Sequence, residues 1–129
     1  MAVIVTAEDH DDIRMVTTRS LQRAGHTVVA TADGAQALDA VRHHRPDIVI
    51  TDVDMPQLTG LQLCRAIRND PDLQAIPVLL VSGSIHPDDP RAVKAGATDI
   101  LPKPFLPSDL LNRVTALLSG EPATTPRAR

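Results

Sequence analysis

Three acidic side chains, one hydroxyl and one ammonium group stand just after short apolar runs of this 129-residue sequence. Glu8 and Asp9 follow the first run, and Asp52 closes the third. Ser82 follows the fourth run and Lys103 follows the fifth. Carboxylates gathered in one crevice repel one another and raise one another's pKa unless a cation lies between them. These residue types therefore predict a site for a hard divalent cation beside a reactive carboxylate.

Mg²⁺ is the cation that matches these side chains. It takes oxygen ligands, keeps several waters and is usually held by one or two carboxylates together with a substrate phosphate. A carboxylate beside such an ion can attack phosphorus, and we assign this role to Asp52. The Mg²⁺ charge, the Lys103 ammonium and the Ser82 hydroxyl would stabilise negative charge on the phosphoryl oxygens. The sequence thus predicts phosphoryl chemistry at Asp52 with Mg²⁺ as the cofactor.

Five short apolar runs predict the strands that must position these groups. Four of the runs are rich in β-branched residues and nearly continuous, which is typical of strands buried on both faces. The predicted strands are Val3–Thr6, Thr27–Ala30, Ile48–Thr51, Val78–Val81 and Asp99–Leu101.

Segments with helical spacing of apolar residues separate the predicted strands. The first ends at Gly25, where a left-handed cap is expected. The second begins at Asp33 and the third at Thr59, each with a Gln three residues later that completes a capping pattern. The fourth runs from about Pro87 to Ala95, and the fifth from about Pro107 to Leu118.

Strands that alternate five times with helices predict one fold class. Right-handed crossovers then produce a parallel sheet covered by helices on both faces, which is a doubly wound α/β fold. Ligands of such sheets bind beyond the carboxyl ends of the strands, where the strand order reverses. The acids, Ser82 and Lys103 all follow predicted strands, so we expect them at that edge.

Composition excludes several other classes of function. Hydrophobic residues make up 43% and charged residues 22% of the chain, as in an ordinary globular domain. A net charge of -3 and a single aromatic residue, Phe105, argue against nucleic-acid binding. The lone Cys64 forms no internal disulfide, and no signal or membrane segment is evident, so we expect a cytoplasmic protein. Residues 1–119 are predicted to form one domain, and residues 120–129 a disordered C-terminal tail.

Four short motifs at the strand ends resemble the receiver-domain signature of two-component response regulators in order and spacing. The motifs are Ala7-Glu8-Asp9, Asp52-Val-Asp54-Met-Pro56 with Gly60, Ser82-Gly83, and Lys103-Pro104-Phe105. The likeness spans about residues 3–118. It implies a flavodoxin-like (βα)5 fold with strand order 2-1-3-4-5, here as a stand-alone domain that is a monomer or a weak dimer.

The resemblance also implies a role for each residue of the acidic site. Asp52 would accept a phosphoryl group from a phosphohistidine on a sensor histidine kinase or a phosphotransfer protein. Asp9 and Asp52 would bind Mg²⁺ directly, Glu8 would act through water, and the backbone carbonyl of Asp54 would complete the protein ligands. The chain would be a signalling protein with slow self-dephosphorylation rather than an enzyme.

Two further residues would report phosphorylation to a partner, again by resemblance. Ser82 would turn toward the phosphoryl group and Lys103 would pair with it. Together they would bias a two-state surface formed by the fourth helix, fifth strand and fifth helix. The partner that reads this surface is not predicted.

Two residues depart from the family pattern. Ile100 stands where receivers commonly have an aromatic ring that moves inward during switching, so we expect a reduced switch. Asp54 places a charged side chain at the entrance to the site. It could hold a hydrolytic water, or it could repel the phosphodonor, and the sequence leaves both open.

Two alternatives compete with this interpretation. Asp52-Val-Asp54 also resembles the nucleophile and acid of a haloacid-dehalogenase-like phosphatase, although such enzymes carry these residues near the N-terminus. The second alternative is a receiver-shaped interaction scaffold that is never phosphorylated. Fold alone does not distinguish a scaffold from a phosphoacceptor.

Overall fold

The computed structural model describes residues 2–86 and 88–120, and five strands alternate with five helices along them. The elements are β1 (Val3–Ala7), α1 (Asp11–Arg23), β2 (Thr27–Thr31), α2 (Gly34–His44), β3 (Ile48–Asp52), α3 (Gly60–Asn69), β4 (Val78–Ser82), α4 (Pro90–Ala95), β5 (Asp99–Pro102) and α5 (Pro107–Leu118). Apart from Gly120, the expected disordered tail lies outside the described residues. No described helix is both long and apolar enough to span a membrane.

The five strands form one parallel sheet in the order β2-β1-β3-β4-β5, as predicted. The chain steps from β1 to β2 on one side and then returns to place β3 on the other side of β1. The strand order therefore reverses between β1 and β3. In register, Ala7 pairs with Thr51, so Glu8 and Asp52 follow paired positions at this reversal point.

Alternate residues of each strand supply two separate hydrophobic cores, one on each face of the sheet. Val5, Val49 and Leu80 pack in the core beneath α2, α3 and α4. Ile4 and Leu79, their neighbours in sequence, pack in the core beneath α1 and α5. Because both faces of the central strands are buried, the carboxyl ends of β1, β3 and β4 are held firmly in position.

Two predictions about individual elements were wrong in part. Helix α4 begins at Pro90 rather than near Pro87, because the Asp89 side chain caps it by accepting a hydrogen bond of 2.8 Å from the Arg91 amide. Pro87 itself lies outside the described residues. Strand β2 was expected to be buried on both faces, but only Thr31 of its residues is fully buried, since β2 is an edge strand.

The predicted helix starts at Asp33 and Thr59 are confirmed by their hydrogen bonds. The Asp33 carboxylate accepts from the Gln36 amide at 2.8 Å. Thr59 and Gln62 form a reciprocal capping box, in which each side chain accepts from the other residue's backbone N–H. This box determines where α3 begins, and thereby the path of the loop that follows Asp52.

Candidate functional site

Three carboxylates meet where the strand order reverses. One side-chain oxygen from each of Glu8, Asp9 and Asp52 lies within 4.8 Å of the others. Glu8 and Asp52 are each only 7% exposed, whereas Asp9 is exposed. The Glu8 amide donates to Thr31 O at 3.0 Å, which ties the end of β1 to the end of β2.

Lys103 reaches this cluster from the end of β5. Its Nζ lies 3.1 Å from Glu8 Oε1 and 3.4 Å from Asp52 Oδ1, so one ammonium bridges two of the carboxylates. Burial lowers the pKa of Lys103, but the hydrogen bond to Glu8 and the charge of Asp52 outweigh burial and leave that pKa raised. Lys103 therefore stays protonated beside the acids.

The two oxygens of Asp52 have different surroundings. Oδ1 accepts a hydrogen bond of 2.9 Å from the Val53 amide and faces Lys103. Among the residues that the structure describes, Oδ2 has no hydrogen-bond partner. Burial, and then the charge of Glu8, raise the pKa of Asp52 to about 6 against the opposing effect of Lys103. Asp52 is thus a buried carboxylate that needs further positive charge and keeps one oxygen free.

The donor set fits Mg²⁺. Three carboxylates and one ammonium leave an excess of negative charge, and a hard divalent cation with oxygen ligands would compensate for it. Both oxygens of Glu8 are already engaged, Oε1 by Lys103 and Oε2 by the amide of His10 at 3.2 Å. Asp9 and Asp52 are the acids with oxygens available for a cation.

Ser82 lies at the same edge of the sheet but is not joined to the carboxylates. Its hydroxyl oxygen accepts hydrogen bonds from the amides of Ser84 at 3.0 Å and Ile85 at 2.9 Å. It also lies 3.1 Å from the hydroxyl oxygen of Ser84. Every hydrogen bond of the Ser82 side chain among the described residues is made within the loop that follows β4.

Asp54 reaches the same loop from the other side of the site. Its exposed carboxylate accepts a hydrogen bond of 2.7 Å from the Ser84 hydroxyl. Sequence reasoning missed Ser84. The signal was present in the Ser82-Gly83-Ser84 spacing, because hydroxyl side chains two residues apart in a turn commonly bond to each other or to local amides.

Gly60 allows the backbone of α3 to approach Asp52 closely. A Cβ atom on Gly60 would lie 2.2 Å from the carbonyl oxygen of Asp52, well inside any tolerated contact. The Gly60 amide donates to Val53 O at 2.9 Å, which closes the loop after β3. Gly83, in the loop after β4, has no such constraint, since a Cβ there would meet only Lys103 Cβ at 3.8 Å.

Ile100, which stands at the expected aromatic position, is 4% exposed and packs in the core beneath α2, α3 and α4. Its neighbour Asp99 is also buried, and Asp99 Oδ2 accepts a hydrogen bond of 2.9 Å from Arg113 on α5. Arg113 also donates to the Ile100 carbonyl at 3.0 Å. The Ile100 backbone is thereby fixed to α5, and its side chain fills a core position.

The fold and the site together define a doubly wound α/β protein with an acidic cluster and a lysine at its reversal point. Residues 4–115 match the response regulator receiver domain family, and the chain belongs to that family. Membership of this family favours a signalling domain of two-component systems over the haloacid-dehalogenase-like alternative.

Individual relatives agree with the family assignment. The chain is 41% identical over 115 residues to the response regulator MprA of Mycobacterium sp. (strain KMS), covering 89% of this chain and 50% of that protein. It thus spans about half the length of the curated relatives it matches. The chemotaxis response regulator CheY4 of Vibrio cholerae is similar in structure, with a TM-score of 0.86, 33% identity, and coverage of 91% of this chain and 98% of that one.

A third similar structure is the signal receiver domain of a histidine kinase from Syntrophus aciditrophicus. Its TM-score is 0.85 at 33% identity, and the match covers 93% of this chain and 92% of that one. Receiver domains like this one therefore occur both in response regulators and in kinases.

Proposed function

We propose that this receiver domain accepts a phosphoryl group on Asp52 from the phosphohistidine of a sensor histidine kinase or a phosphotransfer protein. The observation that carries the proposal is the environment of Asp52. Its carboxylate is buried, one oxygen is free of hydrogen bonds among the described residues, and Lys103 Nζ lies 3.4 Å from the other oxygen.

The transfer uses the free oxygen of Asp52 as the nucleophile. Oδ2 attacks phosphorus, the bond between phosphorus and the imidazole nitrogen of the donor breaks, and the imidazole leaves with the electron pair. The product is an acyl phosphate on Asp52. The Val53 amide and Lys103 hold Oδ1, so the carboxylate keeps one orientation during attack.

When bound, Mg²⁺ would supply positive charge to the phosphoryl oxygens. Asp9 and Asp52 are the proposed direct ligands, together with the backbone carbonyl of Asp54. The engagement of both Glu8 oxygens supports a role for Glu8 through water rather than by direct contact. Lys103 would transfer its contact from Asp52 to the phosphoryl group and keep its contact with Glu8.

The surface formed by α4, β5 and α5 is the proposed output region. Val93 on α4 and Leu106 at the start of α5 are large apolar side chains that are 63% and 65% exposed, which suits a protein contact. Ser82 and Lys103 would connect this surface to the phosphoryl group. Since Ile100 is a packed core residue, we propose that its side chain moves little in the switch.

Intact-mass spectrometry after treatment with acetyl phosphate and Mg²⁺ tests the phosphoacceptor. The wild-type protein is expected to gain one phosphoryl mass, and Asp52→Asn none. Asp12→Asn is the matched control, because Asp12 is an exposed acid outside the acidic cluster. A wild-type protein that gains no mass, or an Asp52→Asn protein that gains as much, would contradict the assignment and favour the scaffold alternative. Turnover of a phosphomonoester would instead favour the phosphatase alternative.

A further inference from the structure

Ser82, Ser84 and Asp54 form a continuous chain of hydrogen bonds across the entrance to the site. The Ser82 and Ser84 hydroxyl oxygens are 3.1 Å apart, and Ser84 Oγ lies 2.7 Å from Asp54 Oδ2. The chain joins the loop after β4 to the loop after β3. It involves a charged side chain that the sequence could not assign to any role.

The direction of each hydrogen bond in this chain follows from the supply of protons. A carboxylate has no proton to donate, so the single hydroxyl proton of Ser84 goes to Asp54. Ser84 Oγ can then only accept from Ser82. The Ser82 oxygen already accepts from the amides of Ser84 and Ile85, which leaves its proton for Ser84. Every donor and acceptor position of the buried Ser82 hydroxyl is thereby used.

We infer that Ser84 and Asp54 are positioning residues that hold the Ser82 hydroxyl away from the phosphoryl site until phosphorylation. This Ser82–Ser84–Asp54 latch goes beyond the proposed phosphoacceptor function and rests on it. Before Ser82 can donate to a phosphoryl oxygen, its hydrogen bond to Ser84 must break. The latch therefore lowers the population of the arrangement that binds the phosphoryl group, and apparent affinity falls by the same factor.

The first test needs neither Mg²⁺ nor a phosphoryl group. Three-bond NMR couplings of the Ser82 side chain report whether it keeps one rotamer. We expect one rotamer in the wild-type protein and averaging between rotamers in Ser84→Ala, because the Ser82 proton then has no acceptor in the loop. Ser84→Thr keeps the hydroxyl, and Ser84 is exposed enough to admit a methyl group, so this variant should restore the single rotamer. A single unchanged rotamer in Ser84→Ala overturns the latch.

The second test measures binding of beryllofluoride, an anion that mimics the phosphoryl group, in the presence of Mg²⁺. Ser84→Ala should bind it about twofold to tenfold more tightly, the range expected for the loss of one hydrogen bond that opposes binding. In a Ser82→Ala background the same substitution should have no effect, since the latch then holds nothing. An equal gain in both backgrounds would mean that Ser84 acts independently of Ser82, and the latch would be wrong.

Two substitutions of Asp54 separate the latch from simple charge repulsion. Asp54→Asn removes the charge and keeps an oxygen that can accept from Ser84, whereas Asp54→Ala removes both. Asp54→Ala should therefore bind beryllofluoride more tightly than Asp54→Asn. Asp88→Ala is the control for charge in the same region, because Asp88 lies in the connection between β4 and α4 but outside the chain of hydrogen bonds. Equal affinities for Asp54→Asn and Asp54→Ala overturn the latch.

Failure of the latch and failure of the phosphoacceptor proposal give different results. If the wild-type protein binds beryllofluoride and Asp52→Asn does not, the proposed function holds, and the Ser84 variants alone decide the latch. If the wild-type protein does not bind beryllofluoride, the phosphoacceptor proposal fails. The Ser82 rotamer in the metal-free protein then still decides whether Ser84 holds that side chain.

Discussion

The two halves of the site differ in how far they are assembled without any ligand. On the cation half, Glu8 and Asp52 are already bridged by Lys103, with Asp9 beside them. On the hydroxyl half, Ser82 is bonded within its own loop. The first half is ready for a cation, and the second must change its hydrogen bonds before it can contact a phosphoryl group.

The difference follows from the elements that carry each half. Asp52 is the last residue of β3, a central strand buried on both faces, and Gly60 brings α3 directly against its backbone. Ser82 also ends a buried strand, but its hydroxyl is satisfied by the irregular loop that follows. Strand pairing thus fixes the acids in place, whereas local loop contacts decide where the hydroxyl points.

The largest expected effect comes from removing the buried charge of the cation half. The pKa of Asp52 is raised from 3.8 to about 6 on folding, so the folded state binds its proton more tightly than the unfolded state. Protonation therefore stabilises the metal-free protein at low pH, and this stabilisation is lost as pH rises from about 4 to about 6. At about 1.4 kcal/mol per pKa unit, Asp52→Asn should stabilise the metal-free protein by about 3 kcal/mol above pH 6.

Urea unfolding in EDTA at several pH values measures this effect. The gain in the free energy of unfolding should shrink below pH 6 and vanish near pH 4, where Asp52 is protonated in both states. Adding Mg²⁺ should stabilise the wild-type protein more than Asp52→Asn. A gain that is independent of pH would show that the Asp52 charge is not its source.

Two glycine substitutions compare the tightness of the halves directly. Gly60→Ala should lower the free energy of unfolding by about 2 kcal/mol, because its Cβ would collide with the carbonyl oxygen of Asp52. Gly83→Ala is the matched control on the hydroxyl half and should change stability by less than about 0.5 kcal/mol. Urea unfolding of both variants is the measurement. Equal losses would remove the distinction between a tight and a loose half.

Cation binding tests the preassembly of the acids. Asp9→Asn should weaken Mg²⁺ binding roughly tenfold, the lower end of the loss seen when even a supporting partner of a metal ligand is removed. Asp12→Asn carries the same charge change three residues later, outside the cluster, and should bind Mg²⁺ nearly as the wild type does. Amide NMR titration with MgCl₂ gives both affinities. Similar losses in the two variants would point to general electrostatics rather than to a ligand.

The smallest expected effect concerns the output surface. With Ile100 packed in the core in place of an aromatic ring, amide shifts across residues 88–112 on beryllofluoride binding should be small compared with those next to Asp52. A two-dimensional amide spectrum with and without the anion measures them. Large shifts across residues 88–112 would mean that the switch operates by another route.

Much of the architecture could be predicted from local patterns. The five apolar runs, the Asp33 and Thr59 caps and the strand-to-helix alternation predicted the doubly wound fold, and the structure confirms it. The prediction of α4 was less accurate, because the cap that starts this helix is Asp89 and the acids before it gave competing signals. Short helices offer few periodic positions, so their boundaries depend on single contacts.

The sequence by itself determined which chemistry reaches the site. Residue types at the strand ends are a local property, and a parallel sheet brings all its carboxyl ends to one edge, so Glu8, Asp9, Asp52 and Lys103 had to meet there. Only the tertiary structure decided the hydrogen bonds within that edge. The contact between Asp54 and Ser84 joins two loops thirty residues apart, and no periodic pattern encodes it. Its geometry depends on how the two loops pack, which is why the orientation of Ser82 could not be predicted.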